Sequence, residues 1–273
     1  MAFNARTSTH DRGNALAMAR LSELAYVDPG EQRARAAAIL DTPILEFESL
    51  DYAQTETGLF MLATADAIIV SFRGTTSEQN WLSNGQILLI PFRNTGRVHA
   101  GFQQALNQAM PDIQARLSAW SGQGRTLWFT GHSLGGALAL LAVANLRFPL
   151  DPTATAPRPV SGLYTFGQPR AGSQEFCATC DAGFGKFYFR YVNDQDIVTR
   201  VPPRVSLYWH AGQVRYIDAQ GRIQDDPSWW HQFLDLVSAG KQTLQDLQSG
   251  TLQVAAIEDH RIANYIRLIE NAP

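Results

Sequence analysis

The sequence predicts an α/β fold with a largely parallel central sheet, and three observations carry that expectation. Short runs with strand character alternate with helical patterns along the chain. Ala67 to Arg73 (Ala-Ile-Ile-Val-Ser-Phe-Arg) is nearly continuous in apolar residues, as a strand covered on both faces is. Leu134 to Leu146 is apolar all round, the pattern of a helix packed deep against a sheet. With 273 residues, 45 % of them hydrophobic, and no shift of composition along the chain, one domain spanning 1–273 is the expected organisation.

The elements follow in order. Met18, Leu21, Leu24 and Ala25 recur at helical spacing, so Asn14 to Tyr26 reads as an amphipathic helix, with Pro29-Gly30 as its stop. Gly58 to Leu62 and Ala67 to Arg73 read as strands around a turn at Ala65-Asp66. Thr126 to Thr130 is a short buried strand that runs directly into the Leu134 to Leu146 helix. The proline-rich stretch Pro149 to Pro159 reads as a loop. A strand at Gly162 to Phe166, a helix near Ser173 to Asp181 and a strand at Lys186 to Val192 come next. Gln213 to Ile223 reads as a hairpin turning at Asp218 to Gly221. Phe233, Val237, Leu244 and Leu247 mark a helix, and Ile262, Tyr265, Ile266 and Ile269 mark a final one.

Composition removes several classes of function. Charged residues are 17 % of the chain, against about 25 % in a typical domain. The net charge is −3, so no basic excess offers counterion release on a nucleic-acid backbone. Apolar material is too plentiful for a disordered chain. Two cysteines, Cys177 and Cys180, are too few for a disulfide framework or a four-thiolate zinc site. Their C-x-x-C spacing lacks a thioredoxin-like context and reads as two packed thiols on a helix. The longest apolar run, Ala137 to Ala144, is far below the roughly 18 residues of a transmembrane helix. The first residues hold no apolar core of the Sec type. The expectation is a cytoplasmic protein, or one exported by a leaderless route.

The chemistry-bearing signal is Gly131-His132-Ser133-Leu134-Gly135, a G-x-S-x-G placed between a strand and a helix. The chain must reverse so sharply at Ser133 that side chains two residues to either side would collide, which explains the glycines. A serine hydroxyl is a weak nucleophile and needs an imidazole to take its proton and a carboxylate to orient that imidazole. In this arrangement the carboxylate and then the histidine follow the serine in the chain. His10 and His99 come too early, and His132 adjoins the serine and is expected to point elsewhere. His210, His231 and His260 remain. His260, at the entry to the last helix, is favoured over His231, which heads a helix, and over His210 on a strand. For the carboxylate, Asp194 and Asp196 compete. Asp196 precedes an Ile-Val pair that would pin it inward, whereas Asp194 sits in a turn-like Asn-Asp-Gln. The oxyanion of an acyl-transfer intermediate needs two fixed donors. The Leu134 amide is one, and Phe72 to Thr76 offers a loop for the other. Gly74 allows close approach there, and Thr75 adds a hydroxyl. A plain polar turn is the alternative for that loop.

These motifs together resemble the class 3 lipases, the fungal-type triacylglycerol lipase family of α/β-hydrolases. Val70 to Thr75 resembles the family's oxyanion strand and loop, Asn80-Trp81 its lid start, and Val98 to Phe102 the segment after the lid. Gly131 to Gly136 resembles its nucleophile elbow, Thr165 to Gly172 a further family segment, Asn193 to Pro203 its acid loop, and Asp259-His260 its base. The resemblance implies a single-domain α/β-hydrolase with Ser133 as nucleophile, Asp196 as acid and His260 as base. Thr75 and Leu134 would form the oxyanion hole. His99 and His210 would be structural. It also implies a carboxylic ester hydrolase, foremost a lipase acting on acylglycerols with no metal or organic cofactor. Its partners would be a lipid or other ester, with transient contact to a lipid interface.

A feruloyl esterase, phospholipase A1 or polyester hydrolase on the same fold is the alternative, and a catalytically inactive interaction module a remote one. With neither a leader nor a disulfide set, the chain looks more like a bacterial relative than the secreted fungal members. Two stretches compete for the lid, Ser77 to Asn84 and Trp229 to Leu247. Trp229-Trp230 reads as core or as a lipid anchor, and Ile87 to Phe92 as acyl groove or packing.

Overall fold

A computed structural model of the chain describes residues 2–7, 9–74, 88–120, 124–150, 157–194, 196–202, 204, 207–225 and 260–272. Helix α1 (Arg12–Leu24) and helix α2 (Pro29–Leu40) precede three strands, β1 (Glu46–Tyr52), β2 (Thr57–Ala63) and β3 (Ala67–Arg73). A small antiparallel pair follows, β4 (Leu89–Pro91) with β5 (Arg97–His99), and leads into α3 (Ala100–Trp120). Then strands and helices alternate: β6 (Thr126–His132), α4 (Leu134–Arg147), β7 (Gly162–Phe166), α5 (Gln174–Phe184) and β8 (Tyr188–Asn193). The hairpin β9 (Gln213–Ile217) and β10 (Ile223–Asp225) and the helix α6 (Ile262–Asn271) complete the described elements.

Eight strands form one sheet in the order β1-β2-β3-β6-β7-β8-β9-β10. β3 through β9 pair in parallel, and antiparallel pairs flank them at both ends. This is the expected mostly parallel α/β architecture. The register sends alternate residues to two separate cores. Ile68, Val70 and Phe72 of β3, with Leu127 and Phe129 of β6, meet α3, α4 and α5. Ala67 and Ile69 of β3, with Trp128 of β6, Tyr164 of β7 and Tyr191 of β8, meet α1, α2 and α6. Both faces being covered explains the unbroken apolar character of the central strands.

The structure differs from expectation at three elements. Pro29-Gly30 opens α2 rather than closing α1. Asp28 accepts the Gly30 amide at 2.8 Å, and proline fits the first helical turn because its missing N–H has no partner there. α1 ends by itself at Leu24. The edge strand β1 escaped the reading because it lacks a continuous apolar run. Both of its faces are only partly covered: Leu50 and Tyr52 pack on one core and Phe47 on the other, while Glu46, Glu48 and Asp51 interrupt the pattern. α3 was hidden by Gly101 and by Pro111 inside it. Its buried residues Phe102, Ala105, Leu106, Ala109, Ile113 and Leu117 nevertheless keep helical spacing. The helix read from Phe233 to Leu247 lies outside the described residues, as do both candidate lid segments, Trp229-Trp230 and most of the proline-rich loop. No helix among the described residues is long and apolar enough to cross a membrane.

Candidate active site

The C-terminal ends of β3, β6, β7 and β8 lie side by side, and Gly74, Ser133, Gly167 and Asp196 follow them. This edge is where open α/β sheets bind ligands. Ser133 links β6 to α4 with φ 56° and ψ −132°, a backbone region that glycine occupies readily and other residues reach at a cost of about 1–3 kcal/mol. Its amide donates to the Phe166 carbonyl at 2.9 Å, and its own carbonyl accepts the Gly136 amide at 3.0 Å. The flanking glycines are steric requirements. A Cβ on Gly131 would collide with the Gly135 backbone and come within 2.7 Å of the Gly136 nitrogen. A Cβ on Gly135 would collide with the Phe72 carbonyl of β3. The turn thus presses the start of α4 against two strands at once. The Ser133 hydroxyl is buried and makes no hydrogen bond to a described residue.

Asp196 and His260 meet beside this turn. Both are fully buried, and His260 Nδ1 donates to Asp196 Oδ2 at 2.8 Å. The same Oδ2 accepts the Tyr265 hydroxyl at 2.6 Å, and Oδ1 accepts the Val198 amide at 2.8 Å. Asp194, the competing carboxylate, turns outward to the Tyr216 hydroxyl. Of the Ile-Val pair, Val198 is buried and Ile197 half-buried, and it is the backbone amide of Val198 that fixes the carboxylate. Gly167, at φ +60°, forms the floor under the pair. A Cβ there would lie 2.7 Å from His260 Cε1 and 2.8 Å from Asp196 Oδ2. With Nδ1 bound to a carboxylate, Nε2 is the basic nitrogen of the neutral ring.

His210, His99 and His10 have other partners. His210 Nε2 donates to the Thr199 carbonyl at 2.7 Å. His99 stacks on Phe102, and burial pushes its pKa down to about 4. His10 bonds the Tyr191 hydroxyl at 2.7 Å. His231 lies outside the described residues. Leu134, the first residue of α4, directs its amide from a helix N-terminus, where backbone N–H groups lack partners within the helix. Thr75 lies outside the described residues. Its neighbour Gly74 is so close to the serine that a Cβ there would be 3.2 Å from Ser133 Cβ and 2.9 Å from the His132 carbonyl.

His132 differs from expectation. It points into the site: its Nε2 meets the His260 carbonyl at 2.7 Å, and the two rings are 4.5 Å apart. Tyr265, read from periodicity as a core residue, holds Asp196, and Tyr26 bonds His132 Nδ1 at 2.9 Å. His132 and Tyr265 thus adjoin the pair, and Tyr26 holds His132. Burial and the charge of Asp196 hold the Tyr265 phenol well above its usual range. Cys177 and Cys180 are free, buried thiols of α5, as read. Burial pushes both pKa values up, which keeps them protonated and unreactive. Phe92 packs edge-on against Phe176, while Leu88 is exposed. Among the described residues, no cluster of three or more His, Cys, Asp or Glu is placed to hold a metal ion.

A family model described as Lipase (class 3) matches residues 69–206, half of the chain. The secreted mono- and diacylglycerol lipase 1 of Fusarium solani is 35 % identical over 176 residues, which cover 60 % of this chain and 49 % of that protein. The chain therefore spans about half the length of the curated relatives it matches. The solved structure of Rhizomucor miehei triacylglyceride lipase superposes with a TM-score of 0.67 at 25 % identity, covering 78 % of this chain and 82 % of that one. Lipase II of Rhizopus niveus gives 0.63 at 26 % identity, covering 76 % and 80 %. The strand–serine–helix turn and the loop carrying Asp196 fall within the matched residues, and the chain belongs to the class 3 lipase family.

Proposed function

We propose that this chain is a serine carboxylic ester hydrolase, a lipase that cleaves acylglycerols through an acyl-enzyme on Ser133. The observation that carries the reading is the buried Asp196–His260 pair set against a serine held in a glycine-like backbone conformation. In the proposed cycle His260 Nε2 takes the Ser133 hydroxyl proton as the oxygen attacks the ester carbonyl. Asp196 holds the imidazole in the Nδ1–H tautomer and stabilises the imidazolium. The Leu134 amide and Thr75 donate to the oxyanion. His260 then protonates the leaving alcohol, and water repeats the sequence to release the acid. The step uses no metal or organic cofactor, and the whole chain, 1–273, acts as one domain.

The named activity of the Fusarium solani relative supports mono- and diacylglycerols as the substrate class, with transient docking at a lipid interface. Labelling by a fluorophosphonate, lost in Ser133→Ala, tests the nucleophile. Turnover of a p-nitrophenyl ester by Ser133→Ala is expected to fall by about 10⁴-fold or more, and wild-type turnover by that variant would overturn the assignment. A series of acylglycerols, phospholipids and feruloyl esters tests the substrate. The highest kcat/KM on an ester other than an acylglycerol would move the proposal to a different esterase.

A further inference from the structure

Three segments far apart in sequence must be held together around Ser133: the end of β3 at Gly74, the turn itself, and the residues before α6 that carry His260. One continuous chain of hydrogen bonds joins all three. The Gly74 amide donates to the Tyr26 phenol oxygen at 3.1 Å. Tyr26 Oη lies 2.9 Å from His132 Nδ1, and His132 Nε2 lies 2.7 Å from the His260 carbonyl.

Elementary donor counting fixes the direction of every bond in it. A carbonyl only accepts, so His132 Nε2 carries the ring proton. A neutral ring then accepts at Nδ1, so the phenol must donate there while its oxygen takes the Gly74 N–H. The ring is neutral because burial and the nearby His260 hold its pKa well below the usual histidine range. A charged His132 would also set a second cation 4.5 Å from the ring that becomes an imidazolium in the proposed cycle. Among the described residues, the titratable groups facing His132 are Tyr26 just after α1, His260, and Tyr265 from α6, whose ring is 6.3 Å away.

Tyr26 is itself placed by polar anchors. It follows α1, which docks on the sheet through Ser22 Oγ to Thr130 Oγ1 at 2.8 Å and through Ser71 Oγ to the Leu21 carbonyl at 2.9 Å. A tyrosine that only filled space would not need its hydroxyl between an amide and an imidazole.

We propose that Tyr26 and His132 are positioning residues, which tie the backbone leading into the Thr75 loop and the backbone of His260 to the Ser133 turn. The inference rests on the Ser133 reading given above. It assigns to the histidine of the elbow a role that spacing alone did not reveal. Neither side chain transfers a proton in the reaction; each fixes a backbone group relative to the reacting atoms.

Two measurements on the full chain test it. Histidine ¹⁵N NMR should show His132 neutral with the proton on Nε2, and its Nδ1 signal should move to that of a non-bonded imidazole nitrogen in Tyr26→Phe. Tyr26→Phe should lower both kcat on a p-nitrophenyl ester and the rate of fluorophosphonate labelling about tenfold, with KM changed less than about twofold. His132→Leu should lose at least as much, and His132→Gln, whose amide supplies one donor and one acceptor, should recover most of it. Wild-type rates in Tyr26→Phe, His132→Gln no faster than His132→Leu, or a proton found on His132 Nδ1 would each overturn the inference alone. Labelling that persists in Ser133→Ala overturns the Ser133 reading and this inference with it.

Discussion

On one face of the central sheet, α3, α4 and α5 bury alanine, leucine and phenylalanine in a mainly apolar layer. On the other, α1, α2 and α6 cover an aromatic layer of Trp128, Tyr164, Phe166, Phe189, Tyr191 and Tyr265. Hydroxyls thread that second layer. Thr130 Oγ1 bonds Ser22 and the Tyr164 carbonyl, and the α1 residue Arg12 donates to the Ile269 carbonyl of α6 at 2.9 Å. The first face can be assembled by non-directional burial, which has no preferred partner atom. The second must bring α6 and His260 just before it to a fixed place, and directional bonds do that. The site is therefore supported by apolar volume from one side and by geometry from the other.

The sharpest way to break this comparison is at the carboxylates. Asp196→Asn is expected to cut kcat by about 10⁴-fold, because an amide favours the wrong imidazole tautomer. Asp194→Asn, two residues away and turned outward, should leave kcat close to wild type. Equal losses in the two variants would remove the distinction on which the assignment depends. Next in size, Leu141→Ala on the apolar face should cost about 2–5 kcal/mol of stability in a denaturant titration, with kcat per folded molecule unchanged. A fall in kcat at constant stability would mean that the apolar face also sets the geometry.

Tyr265→Phe should do the reverse, lowering kcat by about tenfold with a smaller stability change. Its pH profile has a definite sign. The Tyr265 hydroxyl donates to Asp196 Oδ2 and draws negative charge from the atom that faces His260. Without it the carboxylate favours the imidazolium more strongly, so the acid limb of kcat/KM should move to higher pH. A limb that stays in place, or moves down, would show that the phenol acts by packing alone.

Comparing sequence and structure shows which kind of information is local. Gly131 is legible because crowding against Gly135 and Gly136, a few residues on, demands it, whereas the crowding at Gly135 comes from Phe72 and Arg73 of the distant strand β3. The covered strand β3 and the helix α4 are legible because burial on all sides leaves an unbroken apolar run. Asp196 was separable from Asp194 only in part, through the Ile-Val pair that follows it. Elements that depend on distant partners were not legible. Nothing near Tyr265 announces that its hydroxyl meets a residue 69 positions earlier, and nothing near Tyr26 announces His132, 106 positions later. α2 was lost because Pro29-Gly30 serves equally as a stop and as a first turn, and the Asp28 cap decides between them.

The backbone of Ser133 has a consequence for how this protein could change over time. At φ 56° and ψ −132° a serine pays conformational energy that a glycine would not. Ser133→Gly should therefore raise the melting midpoint slightly, by relief of about 1 kcal/mol, while abolishing the proposed turnover. A population selected for persistence alone would drift toward that replacement. On the proposed function, the serine at this turn is kept for its chemistry, against the fold's own backbone preference.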